Sequence, residues 1–143
     1  MTRTLLAMLL ITIPAYAEAG PCPTAVTGAV GKAFPRATIT SCKAEHEHGK
    51  DSYEVKVTKA SGEKIEVDVA PDGAILQVEE SIALDAVPDA VKKAFAARYP
   101  KARPTGADKL TAGTTVRYEI AFTADKRHKS ATFAADGAFV EEE

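Results

Sequence analysis

Four landmarks occur twice in this chain, in the same order and at nearly constant spacing. No other feature of the sequence limits its folding as tightly. Ala29-Val30-Gly31-Lys32-Ala33-Phe34 resembles Ala90-Val91-Lys92-Lys93-Ala94-Phe95 at an offset of 61. Pro35-Arg36-Ala37 matches Pro100-Lys101-Ala102, and Tyr53-Glu54-Val55 matches Tyr118-Glu119-Ile120, both at an offset of 65. Asp72-Gly73-Ala74 matches Asp136-Gly137-Ala138 at an offset of 64. Self-similarity at such a period means one supersecondary unit used twice. The step from 61 to 65 reads as four residues inserted between Phe95 and Pro100, about one helical turn. The second helix is therefore expected to be the first with one more turn.

Each unit opens on a helical pattern. Val87, Val91, Ala94, Phe95 and Arg98 or Tyr99 form one stripe at helical spacing, with Pro88 at the first helical position and Pro100 as the stop. In the first unit Thr24 is the expected N-cap, and Val26, Val30, Ala33 and Phe34 form the stripe. Gly28 and Gly31 each weaken that helix by about 1 kcal/mol against Ala. After each helix the period falls to two. Tyr53, Val55 and Val57 alternate with Glu54, Lys56 and Thr58, Ile65, Val67 and Val69 with Glu66 and Asp68, and Leu76 and Val78 with Gln77 and Glu79. Val116, Tyr118, Ile120 and Phe122 alternate with Arg117, Glu119, Ala121 and Thr123 in the second unit, where Ala131, Phe133 and Ala135 precede Asp136-Gly137. Such alternation means half-buried strands, and Asp-Gly is a strong hairpin signal.

The expected fold class is α+β: two tandem α-β-β-β-β modules, each helix on one sheet face and the other face in water. The expected boundaries are a signal peptide at 1–17, a first unit at 18–80, a short linker at 81–85 and a second unit at 86–143. Neither unit is large enough for a comfortable core by itself, so the two are expected to pack together or share one sheet.

The pattern resembles the PepSY-like family, whose members are similar in shape to beta-lactamase inhibitor protein. The residues that carry the resemblance are Val91 to Phe95, Tyr99-Pro100-Lys101-Ala102, Tyr118-Glu119-Ile120 and Ala135-Asp136-Gly137-Ala138. Their first-unit equivalents are Val30 to Ala37, Tyr53-Glu54-Val55 and Pro71-Asp72-Gly73-Ala74. The resemblance implies exported or envelope proteins with tandem modules and no catalysis, and related modules are linked to peptidase inhibition.

The N-terminus agrees with export. Arg3 supplies a positive start, Leu5 to Ile13 is an apolar run, Pro14 breaks it, and Ala15-Tyr16-Ala17 offers the small residues a signal peptidase reads. A run of nine residues is too short to span a bilayer, which takes about 20. Cleavage after Ala17 leaves 143 − 17 = 126 residues, with no membrane span. The expected location is therefore periplasmic or secreted. The chain has two cysteines, Cys22 and Cys42, and an even pair in an oxidising compartment predicts a disulfide. A net charge of −2 gives no basic footprint for nucleic acid. The acidic run Glu141-Glu142-Glu143 is the one stretch whose composition suggests disorder.

No nucleophile stands beside a base and no Gly-rich phosphate loop is present, so no enzyme activity and no cofactor are expected. The leading reading is a non-catalytic module that binds an envelope or extracellular protein or peptide, with inhibition of a peptidase or other hydrolase as the finer version. Its surface would be the open sheet face, carrying Glu54, Lys56, Glu66 and Asp68 from the first unit and Arg117, Glu119 and Thr123 from the second. The alternative is a metal-binding envelope protein. His46 and His48 sit two apart on a strand, which places both imidazoles on one face, and Asp51 is close enough in sequence to add a carboxylate. The same stretch also suits a solvated strand end entering a hairpin.

Overall fold

Alternating sequence fixes which residues share a sheet face, and pairing fixes which strands are neighbours. A computed structural model describes residues 22–47 and 49–143. Helix α1 (Thr24–Ala33) leads into strands β1 (Thr38–Glu47), β2 (Lys50–Thr58), β3 (Lys64–Val69) and β4 (Ile75–Ile82). A single 3-10 turn (Leu84–Ala86) then enters α2 (Asp89–Arg98), followed by β5 (Arg103–Ala112), β6 (Thr115–Ala124), β7 (Arg127–Ala134) and β8 (Phe139–Glu142). All eight strands join one antiparallel sheet in chain order.

The expectation of two tandem helix-plus-sheet modules is corrected here. Strand β4 pairs with β5, from Val78↔Thr111 to Ile82↔Ala107, so one mostly-β sheet runs unbroken through the chain with two short helices against it. Ser81 and Ile82 belong to β4, and the Ser81 hydroxyl donates to Asp108 at 2.6 Å across that junction. Strand β4 runs two residues past its pairing with β3, through Ile82, and its other edge seats β5 over Val78–Ile82.

Cross-strand partners share a face. Following Val57↔Ile65↔Glu80↔Lys109↔Tyr118↔Phe133 through the register shows that both apolar sets lie on the same face. Val26 and Val30 of α1 pack on Val55, Val57, Ile65, Val67 and Val69. Val91 and Phe95 of α2 pack on Ala107, Ile120, Phe122, Ala131 and Phe133. Each fully buried Val or Phe contributes roughly 1.5–3 kcal/mol. Phe95 meets Phe122 and Phe133 edge-on at ring distances of 5.3 and 6.4 Å. Between the two apolar clusters lies a polar seam, where Lys59 donates to Glu80 at 2.6 Å and Lys109 stands 3.7 Å from the same carboxylate.

The helices have equal length, 10 residues each, which overturns the expectation of an added turn in the second. Their starts and ends lie 65 residues apart, as do the preceding Pro23 and Pro88. Val26 thus corresponds to Val91, Val30 to Phe95 and Phe34 to Tyr99. Each proline occupies the cap position and its carbonyl accepts the first helical bond, from Thr27 N at 3.0 Å and from Lys92 N at 3.0 Å. Thr24 is consequently the first helical residue and gives no side-chain cap, and Pro88 stands one place before the helix. Ala33 is exposed, and Ala29 takes its place beside the core.

Both Asp-Gly turns have the same construction. The Asp72 carboxylate accepts from Ala74 N at 3.0 Å and the Asp136 carboxylate accepts from Ala138 N at 3.0 Å. Gly73 and Gly137 both adopt φ +92°. A Cβ on Gly73 would lie 2.8 Å from the Ala25 carbonyl oxygen, and one on Gly137 would lie 2.7 Å from that of Ala90. Each hairpin thus abuts the first turn of its helix, where only glycine fits. The acidic end of the chain is ordered, against expectation: Glu143 N and Ser130 O bond at 2.9 Å, and the reciprocal bond is 2.9 Å.

Cys22 and Cys42 form a disulfide. It joins the segment just ahead of the Pro23 cap to β1 and packs beside the first apolar cluster. Shifting both positions by 65 gives Val87 and Ala107, which are buried in the second cluster. One half of the sheet has a covalent link where the other buries two apolar side chains.

Candidate open-face binding site

The face away from the helices carries the polar half of every alternating strand. At its centre lies a recess of about 290 Å³. Glu54 of β2, Glu66 and Asp68 of β3, and Arg117 and Glu119 of β6 line it together. Five of the seven residues singled out on the sequence therefore meet in one place. Lys56 sits beside it, 2.9 Å from Glu66 and 3.8 Å from Glu54. Thr123 lies farther along β6, opposite His128 of β7, and does not line the recess.

The sequence reading omitted the residues that complete the site. Glu45 comes from β1, Glu79 and Gln77 from β4, Leu110 from β5, Thr132 from β7, and Glu141 and Glu143 from the end of the chain. Alternation had placed Glu79 on a polar face. Only the β4–β5 pairing puts it in the middle, with Glu66 opposite on one side and Leu110 on the other. The expected face was of mixed charge. Among the described residues, eight carboxylates and the Arg117 guanidinium line the recess, so its centre is acidic.

That crowding has an electrostatic consequence. Burial pushes the Glu79 carboxyl up to about 7, and the negative charges of Asp108, Glu119, Glu66 and Asp68 push in the same direction. The Glu119 carboxyl is also raised, by burial first, while its hydrogen bond with Ser130 opposes the shift. A field of one sign in a walled depression attracts cationic groups and repels anionic ones.

The second candidate set is only partly brought together. His46 Nδ1 lies 2.6 Å from an Asp51 oxygen across the β1–β2 hairpin, with both side chains well exposed. His48 lies outside the described residues, as does the expected signal peptide. Among the described residues, no group of three His, Cys, Asp or Glu side chains is arranged to hold a metal ion. No helix among them is long and apolar enough to cross a membrane.

No family model matches the chain, and no curated protein matches it. Solved structures do share its fold. A periplasmic protein from Bacteroides eggerthii superposes with a TM-score of 0.69 at 19% identity, covering 87% of this chain and 89% of that one. A DUF2874 family protein from Bacteroides uniformis gives 0.69 at 17% identity, covering 85% and 88%. A BLIP-like protein from Bacteroides fragilis gives 0.64 at 20% identity, covering 85% and 86%. At these identities the likeness establishes a common fold, the BLIP-like one included.

Proposed function

We propose that this chain is an exported, non-catalytic binding module whose open sheet face takes a basic segment of an envelope or extracellular protein. The observation that carries this reading is the acidic recess at the centre of the face the helices leave uncovered. Lys and Arg side chains reaching into it would pair with Glu66, Glu79 and Glu119, and complementary charge of this kind sets specificity and association rate. Export is supported by the signal-peptide pattern at residues 1–17 and by the periplasmic description of the Bacteroides eggerthii protein. The likeness to a BLIP-like protein supports inhibition of a hydrolase as the finer version.

The test is affinity capture from envelope extract of the source organism, with Glu66→Lys plus Glu119→Lys as the control. A specific partner should be retained by the natural protein, lost with the control and weakened by salt, since exposed charges are screened within about 8 Å at physiological ionic strength. A partner held equally by both would place binding elsewhere, and retention of none would remove the reading. If the partner is a hydrolase, its rate with and without the protein decides the inhibitor version.

A further inference from the structure

On the helix-bearing side, remote from the recess, a second depression of about 290 Å³ opens between the 3-10 turn, α2 and the start of β5. Buried Val87, Phe95 and Ile120 face it from within, and Leu84, Tyr99 and Pro104 surround them. Its shape is held in advance. Phe95 and Tyr99 pack at 5.3 Å and Tyr99 and Phe122 at 4.6 Å, and the Tyr99 hydroxyl donates to Glu142 at 2.5 Å. A rigid apolar cleft loses little freedom when it accepts a ligand.

Among the described residues, Lys92 is the one charged residue in its wall. The ammonium is 3.0 Å from the Asp89 carboxylate and donates to the Asp85 carbonyl at 3.3 Å. Asp89 is 83% exposed, so a ligand anion that displaced it would release a carboxylate directly into water. A depression of this volume corresponds to roughly ten liquid waters at about 30 Å³ each, hence to a solute of about ten non-hydrogen atoms.

We propose that this cleft binds a small monocarboxylate with an apolar body of about seven carbons, the chain lying on Phe95, Tyr99 and Ile120 and the carboxylate meeting Lys92. The site is independent of the open-face reading, because it uses the opposite side of the sheet and a different class of ligand.

Octanoate, with ten non-hydrogen atoms, is the probe. Titration of the disulfide-bonded protein, followed by backbone amide shifts, should give saturable changes confined to the wall of the cleft, with Leu84, Lys92, Phe95, Ala96, Tyr99 and Ile120 among them. Lys92→Gln should weaken binding at least tenfold, octan-1-ol should bind at least tenfold more weakly than octanoate, and Asp89→Asn should strengthen binding. Ala96→Leu, a good helix former at an exposed position, should block the cleft while leaving the remaining amide spectrum in place. Absence of saturable shifts at millimolar octanoate would overturn the proposal. So would shifts centred elsewhere, equal binding of the alcohol, or binding that Ala96→Leu leaves unchanged. Shift mapping on the natural protein decides the matter even if a variant fails to fold.

Discussion

Two single residues carry consequences out of proportion to their size. Gly73 and Gly137 combine φ +92° with a helix carbonyl where a Cβ would stand. Gly73→Ala and Gly137→Ala are each expected to cost about 1–3 kcal/mol, from backbone strain plus the clash, read from urea unfolding midpoints. An unchanged midpoint for either would mean that the helix and hairpin do not meet in solution. Glu79 gives a different kind of expectation. Its carboxyl stands at about 7 in the folded protein against an ordinary 4.5, so the folded state holds a proton that the unfolded chain releases. The stability linked to that proton is full below pH 4.5 and is lost as pH rises through about 7. Glu79→Gln should therefore match the natural protein near pH 4 and exceed it at pH 8. For this half-exposed group, screening reduces the gain to on the order of 1–2 kcal/mol. Thermal melts at the two pH values check this, and a constant difference between variant and parent would refute it.

At the scale of elements, the Cys22–Cys42 link stands where Val87 and Ala107 stand in the other half. Closing a loop of this length stabilises by about 3 kcal/mol in the chain-entropy model. Cys22→Ser with Cys42→Ser should lose about that much. Cys22→Val with Cys42→Ala, which copies the apolar pair, should lose less, as denaturant melts of both would show. Equal losses would mean that the apolar contact contributes nothing at this position. The helices also show where sequence reading goes astray. The best letter match between them lies at 61, yet the structures coincide at 65. A slip of four residues is close to one turn and keeps each residue on its face, so apolar periodicity cannot detect it. Strands have no such tolerance, since slipping by one residue reverses the face. Tyr53 and Tyr118 therefore gave the true offset from the start.

For the whole molecule, alternation revealed the polar face but not its centre. The sequence shows that Glu54, Glu66 and Glu119 point away from the apolar side. It does not show that β4 and β5 are neighbours, because the hydrogen bonds that join them are made by backbone groups common to every residue. Glu79 was legible as exposed and illegible as central for that reason, and Glu141 and Glu143 were hidden in what read as a frayed acidic end. A continuous sheet also has a thermodynamic signature. Amide exchange under mild denaturant should show β2–β3 and β6–β7 opening in one cooperative transition, and Glu80→Ala, which breaks the seam with Lys59 and Lys109, should lower stability by about 1 kcal/mol. Two separate transitions would show that the halves hold their structure independently.

An open sheet, unlike a barrel, ends twice. The outer side of β8 is a stretch of four residues finishing in glutamates, too short and too negative to recruit another strand. The outer side of β1 is ten residues long, and its defences among the described residues are the irregularity between Ile39 and Ser41 and the charges of Lys43 and Glu45. Those defences are unequal in salt, which silences charge but leaves length untouched. Concentrated protein in high salt should therefore begin to associate along β1, and the shelf life of a preparation would be governed by the first strand of the sheet.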